Sequence, residues 1–347
     1  MDITELLTLA VEKKASDLHL SPGLAPTLRI DGDLIALKEY PVLSPDESRQ
    51  LVHSMMTEGQ VETFQTKLVI DMSYSLHQVG NFRVSAYHQL RGVGAVLRVL
   101  TEKVPSFESL KLPSILKSLL LLSHGIILVT GPTGSGKTTT LASMIDTINA
   151  ARASNIITIE DPIEYIYQNK RSIINQLQVG RDTPDFNTAL KASLRQNPDV
   201  ILLGEMRDRE TVNLALTAAE TGHLVMATMH AGSSPLAISR IVDMFPDEDK
   251  NRVRNLLSET VQAVLCQTLV KSTHGGRVAA FEIMLATPAI RHQIRQDKIP
   301  HMTTTLQTNG DIGMCTMEQY LQELLKKGII TQTAARLATM SQGSFRS

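Results

Sequence analysis

The chemistry of this chain concentrates in Gly131-Pro132-Thr133-Gly134-Ser135-Gly136-Lys137-Thr138, which fits the pattern G-x-x-x-x-G-K-[ST]. Its glycines let backbone N–H groups wrap a phosphate where a Cβ would intrude. Lys137 suits the outer phosphates of a nucleoside triphosphate, and the Thr138 hydroxyl suits Mg²⁺. An apolar run, Ile126–Val129, precedes the loop and a helical pattern, Thr138–Asn149, follows it. That helix directs its positive end at the same anion. A chance glycine-rich turn would lack both flanks.

Further groups sit at the ends of other short apolar runs. Val200–Leu203 leads into Gly204-Glu205, with glycine where such sites usually carry Asp. Direct metal binding by an Asp is therefore lost. Glu205 is placed to orient or deprotonate an attacking water and to meet Mg²⁺ through water. The plainer alternative is a surface pair with Arg207 or Arg209. Ile157–Ile159 is followed by Glu160, Asp161 and Glu164, with Pro162 forcing the chain out of the strand. These carboxylates suit metal-bound water or a base, or else form a polar turn. His223 and His230 bracket Leu224–Thr228; their odd separation points them to opposite faces of a strand and excludes one shared metal. His230, at the strand's far end, is placed to sense a γ-phosphate.

The elements that must position these groups come in two patterns. After Gly125, apolar runs alternate with helical stretches at Phe186–Leu194 and Arg209–Thr221. That alternation predicts a mainly parallel α/β sheet with ligands at the carboxyl ends of its strands. From Ser234 the chain reads as almost wholly helical, including a long helix over Asp247–Val270 and a capped one at Thr316-x-x-Gln319 ending before Gly328. The first hundred residues read as α+β. A helix follows Asp2, with Glu5 placed for a capping box. A hairpin turns at Asp31-Gly32-Asp33, a second helix starts at Ser44-Pro45, and strands cover Leu68–Leu76, Phe82–Gln89 and Val93–Leu100. We place the domains at 1–102 and 114–347, with a linker at 103–113, a helical region from about 234, and a frayed tail at 341–347.

Composition narrows the function classes. The 347 residues carry 34 Lys plus Arg against 35 Asp plus Glu, a net charge of −1, so the basic footprint of a duplex binder is missing. With no Trp, seven Phe and six Tyr there is little base-stacking surface, and we expect no nucleic-acid partner. Cys266 and Cys315 are too few and too far apart for a zinc knuckle, and read as reduced thiols. The acidic start, Met1-Asp2-Ile3-Thr4-Glu5, is not a signal peptide, and no apolar run approaches the ~20 residues of a membrane span. We therefore expect a cytoplasmic protein without direct membrane insertion.

Taken in order, GPTGSGKTTT at 131–140, ITIEDPIEY at 157–165, VILLGEMRD at 200–208 and AAETGHLVMATMH at 218–230 resemble the secretion ATPase superfamily that powers type IV pili and type II secretion, and within it the pilus-retraction branch. The likeness runs from MDITELL and SDLHL to the C-terminal helices. It implies an N-terminal PAS-like domain, a RecA-like ATPase core and a homohexamer using ATP and Mg²⁺. It implies that Gly131 to Thr139 bind nucleotide, that Glu205 is the catalytic glutamate, that Glu164 belongs to an aspartate box, and that His223 and His230 form a histidine pair. Arg83 and Arg98 match positions that reach the nucleotide phosphates; from the residues alone they read as solvated strand-face charges. Retraction-type members carry an AIRNLIRE segment, here AIRHQIRQ at 289–296, which keeps Arg291 and Arg295 on one helical face for a partner. The histidine-box Thr-Leu-His-Thr is Thr228-Met229-His230-Ala231 here, and Asn197 replaces an Asp before Pro198. The implied partners are an inner-membrane pilus platform protein, which would hold the motor at the membrane, and a paralogous retraction ATPase. The rivals are an assembly or secretion ATPase, a RecA-like nucleic-acid motor, and a catalytically silent binding partner.

Overall fold

The computed structural model describes residues 1–30, 32–100 and 104–340. Asp31 of the expected hairpin turn, the expected boundary at residues 102 and 103, and the tail from 341 lie outside the described residues. The chain divides into two compact units, Met1–Lys103 with Pro162–Ile166, and Val104–Asp161 with Tyr167–Ser347. The segment Pro162–Ile166 thus groups with the first unit, a crossing that contiguous domains did not anticipate.

In the first unit, strands β1 (Asp17–Leu20), β2 (Thr27–Ile30), β3 (Asp33–Ala36), β4 (Val69–Leu76), β5 (Gly80–Gln89) and β6 (Gly92–Leu100) form an antiparallel sheet in the order β3-β2-β1-β6-β5-β4. Alternation in the sequence sets its faces: Phe82, Val84 and Ala86 of β5 are buried, while Arg83, Ser85 and Tyr87 point the other way. His88 departs from the pattern and is exposed, its ring against Phe64. The helices Ile3–Glu12, Pro45–His53 and Glu58–Lys67 belong to the same unit. Leu6, Leu7, Val52 and Phe64 join the sheet in one apolar core. Ser44 and Glu47 make the capping box that their spacing predicts. Asp2 caps the first helix by accepting from the Thr4 N–H rather than by a box with Glu5.

The second unit is built on β7 (Gly125–Thr130), β8 (Asn155–Glu160), β9 (Ile173–Gln178), β10 (Val200–Leu203), β11 (Leu224–Met229), β12 (Val261–Lys271) and β13 (Arg277–Leu285), in the order β13-β12-β7-β11-β10-β8-β9. All neighbours are parallel except β12 and β13. The α/β reading holds, with helices at Lys137–Ala151, Phe186–Ser193 and Arg209–Glu220.

The reading of the C-terminal third is corrected. The helix at Asp247 stops at Thr260, and the residues expected to continue it form β12, paired with β7 on one side and β13 on the other. Ala263–Thr268 are buried without a break, so they carry no face-to-face alternation. A continuous apolar run does not distinguish a central strand from a buried helix. The strand β9, at the sheet edge, has no counterpart in the sequence reading either. Beyond β13 the chain is helical, with Thr316 and Gln319 forming the expected box and Gly328 in the left-handed region.

Candidate functional site

The phosphate loop leaves the carboxyl end of β7, every residue of which is buried. Gly131, Gly134 and Gly136 have φ of +141°, +76° and +87°, values that only glycine adopts without strain. A Cβ on Gly131 would lie 2.2 Å from the Gln267 carbonyl oxygen, so this glycine also admits close passage of β12. Nothing lies within 4 Å of a Cβ placed on Gly134. The helix Lys137–Ala151 starts with no side-chain cap, so its first N–H groups point into the loop as an anion site. Lys137 is only 8% exposed and donates to the Gly131 and Pro132 carbonyls at 3.0 Å each. The buried Ser135 hydroxyl has no partner among the described residues. Uncapped amides, an inward lysine and an orphaned hydroxyl fit a phosphate chain, and Thr138 in the first helical turn supplies the oxygen donor that Mg²⁺ prefers.

Strand order brings a second group to the same edge. β10 is separated from β7 by β11 alone, and the parallel pairing of Leu203 with Ala227 lets Glu205 and His230 emerge together. His230 Nε2 lies 3.1 Å from Glu205 Oε1. Arg207 occupies the other carboxylate oxygen, Oε2, at 2.8 Å from Nε and 2.7 Å from Nη2, so the ion pair weighed as the plain alternative forms beside the histidine contact. The hydrogen bond to Glu205 and the negative charges of Glu205 and Asp161 raise the Arg207 pKa further. Glycine at position 204 has a steric reason: a Cβ there would press to 3.3 Å on Glu160 Cα and the Ile159 carbonyl oxygen.

The three carboxylates at and after the end of β8 have different partners. Glu160 is buried, accepting from Thr158 Oγ1 at 2.7 Å and Gln176 Nε2 at 3.2 Å. Asp161 lies 4.0 Å from Arg207. Glu164 belongs to the first unit, with Arg83 Nη1 at 3.8 Å. His223 is parted from His230 as well. It precedes β11 and sits 2.9 Å from the Ala218 carbonyl at the opposite end of the strand.

Within the first unit, Arg83 of β5 and Arg98 of β6 are direct cross-strand partners. Like charges placed so repel, and carboxylates offset the repulsion: Glu164 beside Arg83, and the buried Asp17 at 3.0 Å from Arg98. Arg83, Arg98, Val99, Leu100, Glu164 and Tyr165 line a cleft of about 190 Å³. The structure thus assembles both arginines and Glu164 into one charged cleft, which spacing along the chain does not reveal.

Arg291 requires a correction. It does not stand on a free basic stripe: its guanidinium donates to the Ser258 carbonyl at 2.5 Å, the Glu259 carbonyl at 2.8 Å and Gln262 Oε1 at 3.1 Å. It caps the carboxyl end of the helix Asp247–Thr260, and burial, then the nearby Arg295 charge, lowers its pKa. Arg295 remains exposed but reaches Ser258 Oγ at 3.2 Å.

Thiol chemistry is excluded at the site. Cys266, paired with Thr130 just before the loop, is pushed up to about 12 by burial and then by the Glu282 carboxylate, so it stays protonated.

Comparison with known proteins agrees with this geometry. The family described as type II/IV secretion system protein matches residues 1–320. The type IV pilus retraction ATPase PilT of Pseudomonas aeruginosa is 48% identical over 336 residues, 97% of each chain. A twitching motility protein of Neisseria gonorrhoeae is 47% identical, covering 92% of this chain and 86% of its own length. The crystal structure of the pilus retraction motor PilT with bound ADP superposes with a TM-score of 0.91 at 44% identity, covering 97% of both chains. On this match, the chain belongs to the type II/IV secretion system protein family.

Proposed function

We propose that this chain is the ATP-hydrolysing motor of type IV pilus retraction. The observation that carries the reading is the edge of the parallel sheet, where a glycine-built phosphate loop after β7 meets Glu205 and His230 one strand away. Likeness to PilT over nearly the whole chain gives that edge its substrate.

The loop amides and Lys137 bind the phosphates of ATP, with Lys137 exchanging its carbonyl partners for phosphate oxygens. Mg²⁺, held by Thr138 and through water by Glu205, would neutralise charge on the outer phosphates. Glu205 orients the attacking water and takes its proton, and His230 fixes the carboxylate's rotamer from Oε1. Arg207 is the competitor for the other oxygen. Arg83 and Arg98 supply positive charge to the γ-phosphate as it leaves. Binding and hydrolysis drive a conformational cycle within a homohexamer that works on a membrane-embedded platform protein, alone or beside a paralogous ATPase. In this reading the platform protein holds the motor at the membrane; among the described residues no helix is long and apolar enough to cross one.

The purified full chain should hydrolyse ATP with Mg²⁺ and lose that activity on chelation. Turnover stimulated severalfold by DNA would instead favour a nucleic-acid motor. The absence of any turnover would favour a silent binding partner.

A further inference from the structure

Among the polar side chains buried in the second unit that the mechanism above does not use is Gln267, in register with the start of the phosphate loop. Gln267 lies on β12, a strand otherwise buried among apolar residues, and is itself 2% exposed. Pairing between β7 and β12 ends with Thr130 opposite Cys266, which places Gln267 beside the first residue of the phosphate loop. Its Nε2 donates to the Ser135 carbonyl at 2.8 Å, and its Oε1 accepts from Thr140 Oγ1 at 2.8 Å. A carbonyl can only accept, so the amide's orientation is fixed by chemistry. One carboxamide therefore ties the last turn of the loop to the first turn of the helix behind it. The loop glycines fit around the same residue. A Cβ on Gly131 would strike its backbone oxygen, and one on Gly136 would come within 3.0 Å of its Nε2.

We propose that Gln267 is a positioning residue that latches the phosphate loop into its binding shape before nucleotide arrives, so that the amide cradle is formed in advance. The proposal rests on the reading of Gly131–Thr138 as the phosphate site. Preorganisation strengthens binding by removing the cost of ordering the loop. The cradle meets the phosphates in the ground and transition states alike, so its loss should appear in affinity more than in the chemical step.

Gln267 also borders a cavity of about 720 Å³ that reaches Thr139, Leu269 and Arg277. A residue facing that cavity would instead touch the nucleoside. Inorganic tripolyphosphate separates the two roles because it has phosphates and no nucleoside. The test compares ATP and tripolyphosphate, each with Mg²⁺, on the full chain carrying Gln267→Leu and on the double variant Gln267→Leu, Thr140→Val. The single change strands a buried carbonyl and hydroxyl and should lower the melting temperature. The double change replaces the pair of polar partners at Thr140 with apolar ones and should recover much of that loss. In the double variant, both ligands should weaken in parallel by about tenfold, with KM raised similarly and kcat within about twofold. Unchanged tripolyphosphate affinity, whether or not ATP weakens, would overturn the proposal, as would a fall in kcat at constant KM. Failure of the parent chain to bind tripolyphosphate would overturn the phosphate-site reading itself.

Discussion

At the phosphate loop the groups that meet an anion are backbone amides and a lysine, fixed by glycine φ angles, a buried strand and a helix end. In the cleft of the first unit they are two long side chains, with Arg83 37% and Arg98 64% exposed, set side by side by strand register and held by Glu164 and Asp17. The loop carries its geometry in glycine backbone angles and in the bonds from Lys137 to the Gly131 and Pro132 carbonyls. The cleft depends on ion pairs, and a partly exposed pair such as Arg83–Glu164 contributes at most about 1 kcal/mol. A rigid site suits tight binding of phosphate in every state. A soft site of paired arginines suits a charge that must be delivered and withdrawn within a working cycle.

The sharpest way to break this contrast is Lys137→Ala. Lys137 belongs to the rigid half, and its loss should reduce turnover about a thousandfold or more in a chain that still folds cooperatively, with a lowered melting temperature because the Gly131 and Pro132 carbonyls lose their buried donor. Near-normal turnover in a folded variant would remove the phosphate-loop assignment. Next in size, Glu205→Gln keeps shape and loses basicity, so steady-state turnover should fall about a hundredfold or more while ATP binding, read by calorimetry, persists. Weakened binding with normal turnover per bound nucleotide would give Glu205 a binding role only.

The soft half should respond less. Arg83→Ala and Arg98→Ala should each lower kcat by about tenfold with KM changed by less than threefold, because a phosphate-sensing arginine acts mainly in the transition state. Unaltered turnover in assembled protein would leave both as ordinary strand-face charges. The smallest effect belongs to Arg291→Ala, which removes a cap from the helix Asp247–Thr260. Thermal melting should show a loss of about 1–2 kcal/mol, with ATP turnover retained. A variant with parental stability would return Arg291 to the role of a free surface charge.

The two halves also differ in how far the sequence reveals them. The loop is local: strand, glycines, lysine and helix follow one another, and each has one physical reason to be where it is. Glu205 and His230 are nearly as legible, since each ends a short apolar run whose parallel pairing can be inferred. The cleft is not local. Arg83 and Arg98 become neighbours only through the register of β5 and β6, and Glu164 joins them only because Pro162–Ile166 packs with the first unit. Family likeness pointed to these arginines, whereas their own spacing did not. Gln267 was hidden for another reason. Val261–Val270 is apolar enough to continue the preceding helix, with neither glycine nor proline to mark the change, so Gln267 falls on the wrong element when read from the sequence. The basic pair at 291 and 295 shows the converse: periodicity found the helix face but not the helix end that Arg291 covers.

Catalytic variants cannot separate a retraction motor from an assembly motor, because both would hydrolyse ATP by the same chemistry. The decisive measurement is the count of surface pili, with twitching scored in parallel, in cells whose chromosomal copy is deleted or replaced by Glu205→Gln. A retraction motor predicts hyperpiliated cells that no longer twitch in both strains. Bare cells would contradict the account and identify an assembly motor, and unchanged pili and motility would remove the protein from the pilus system.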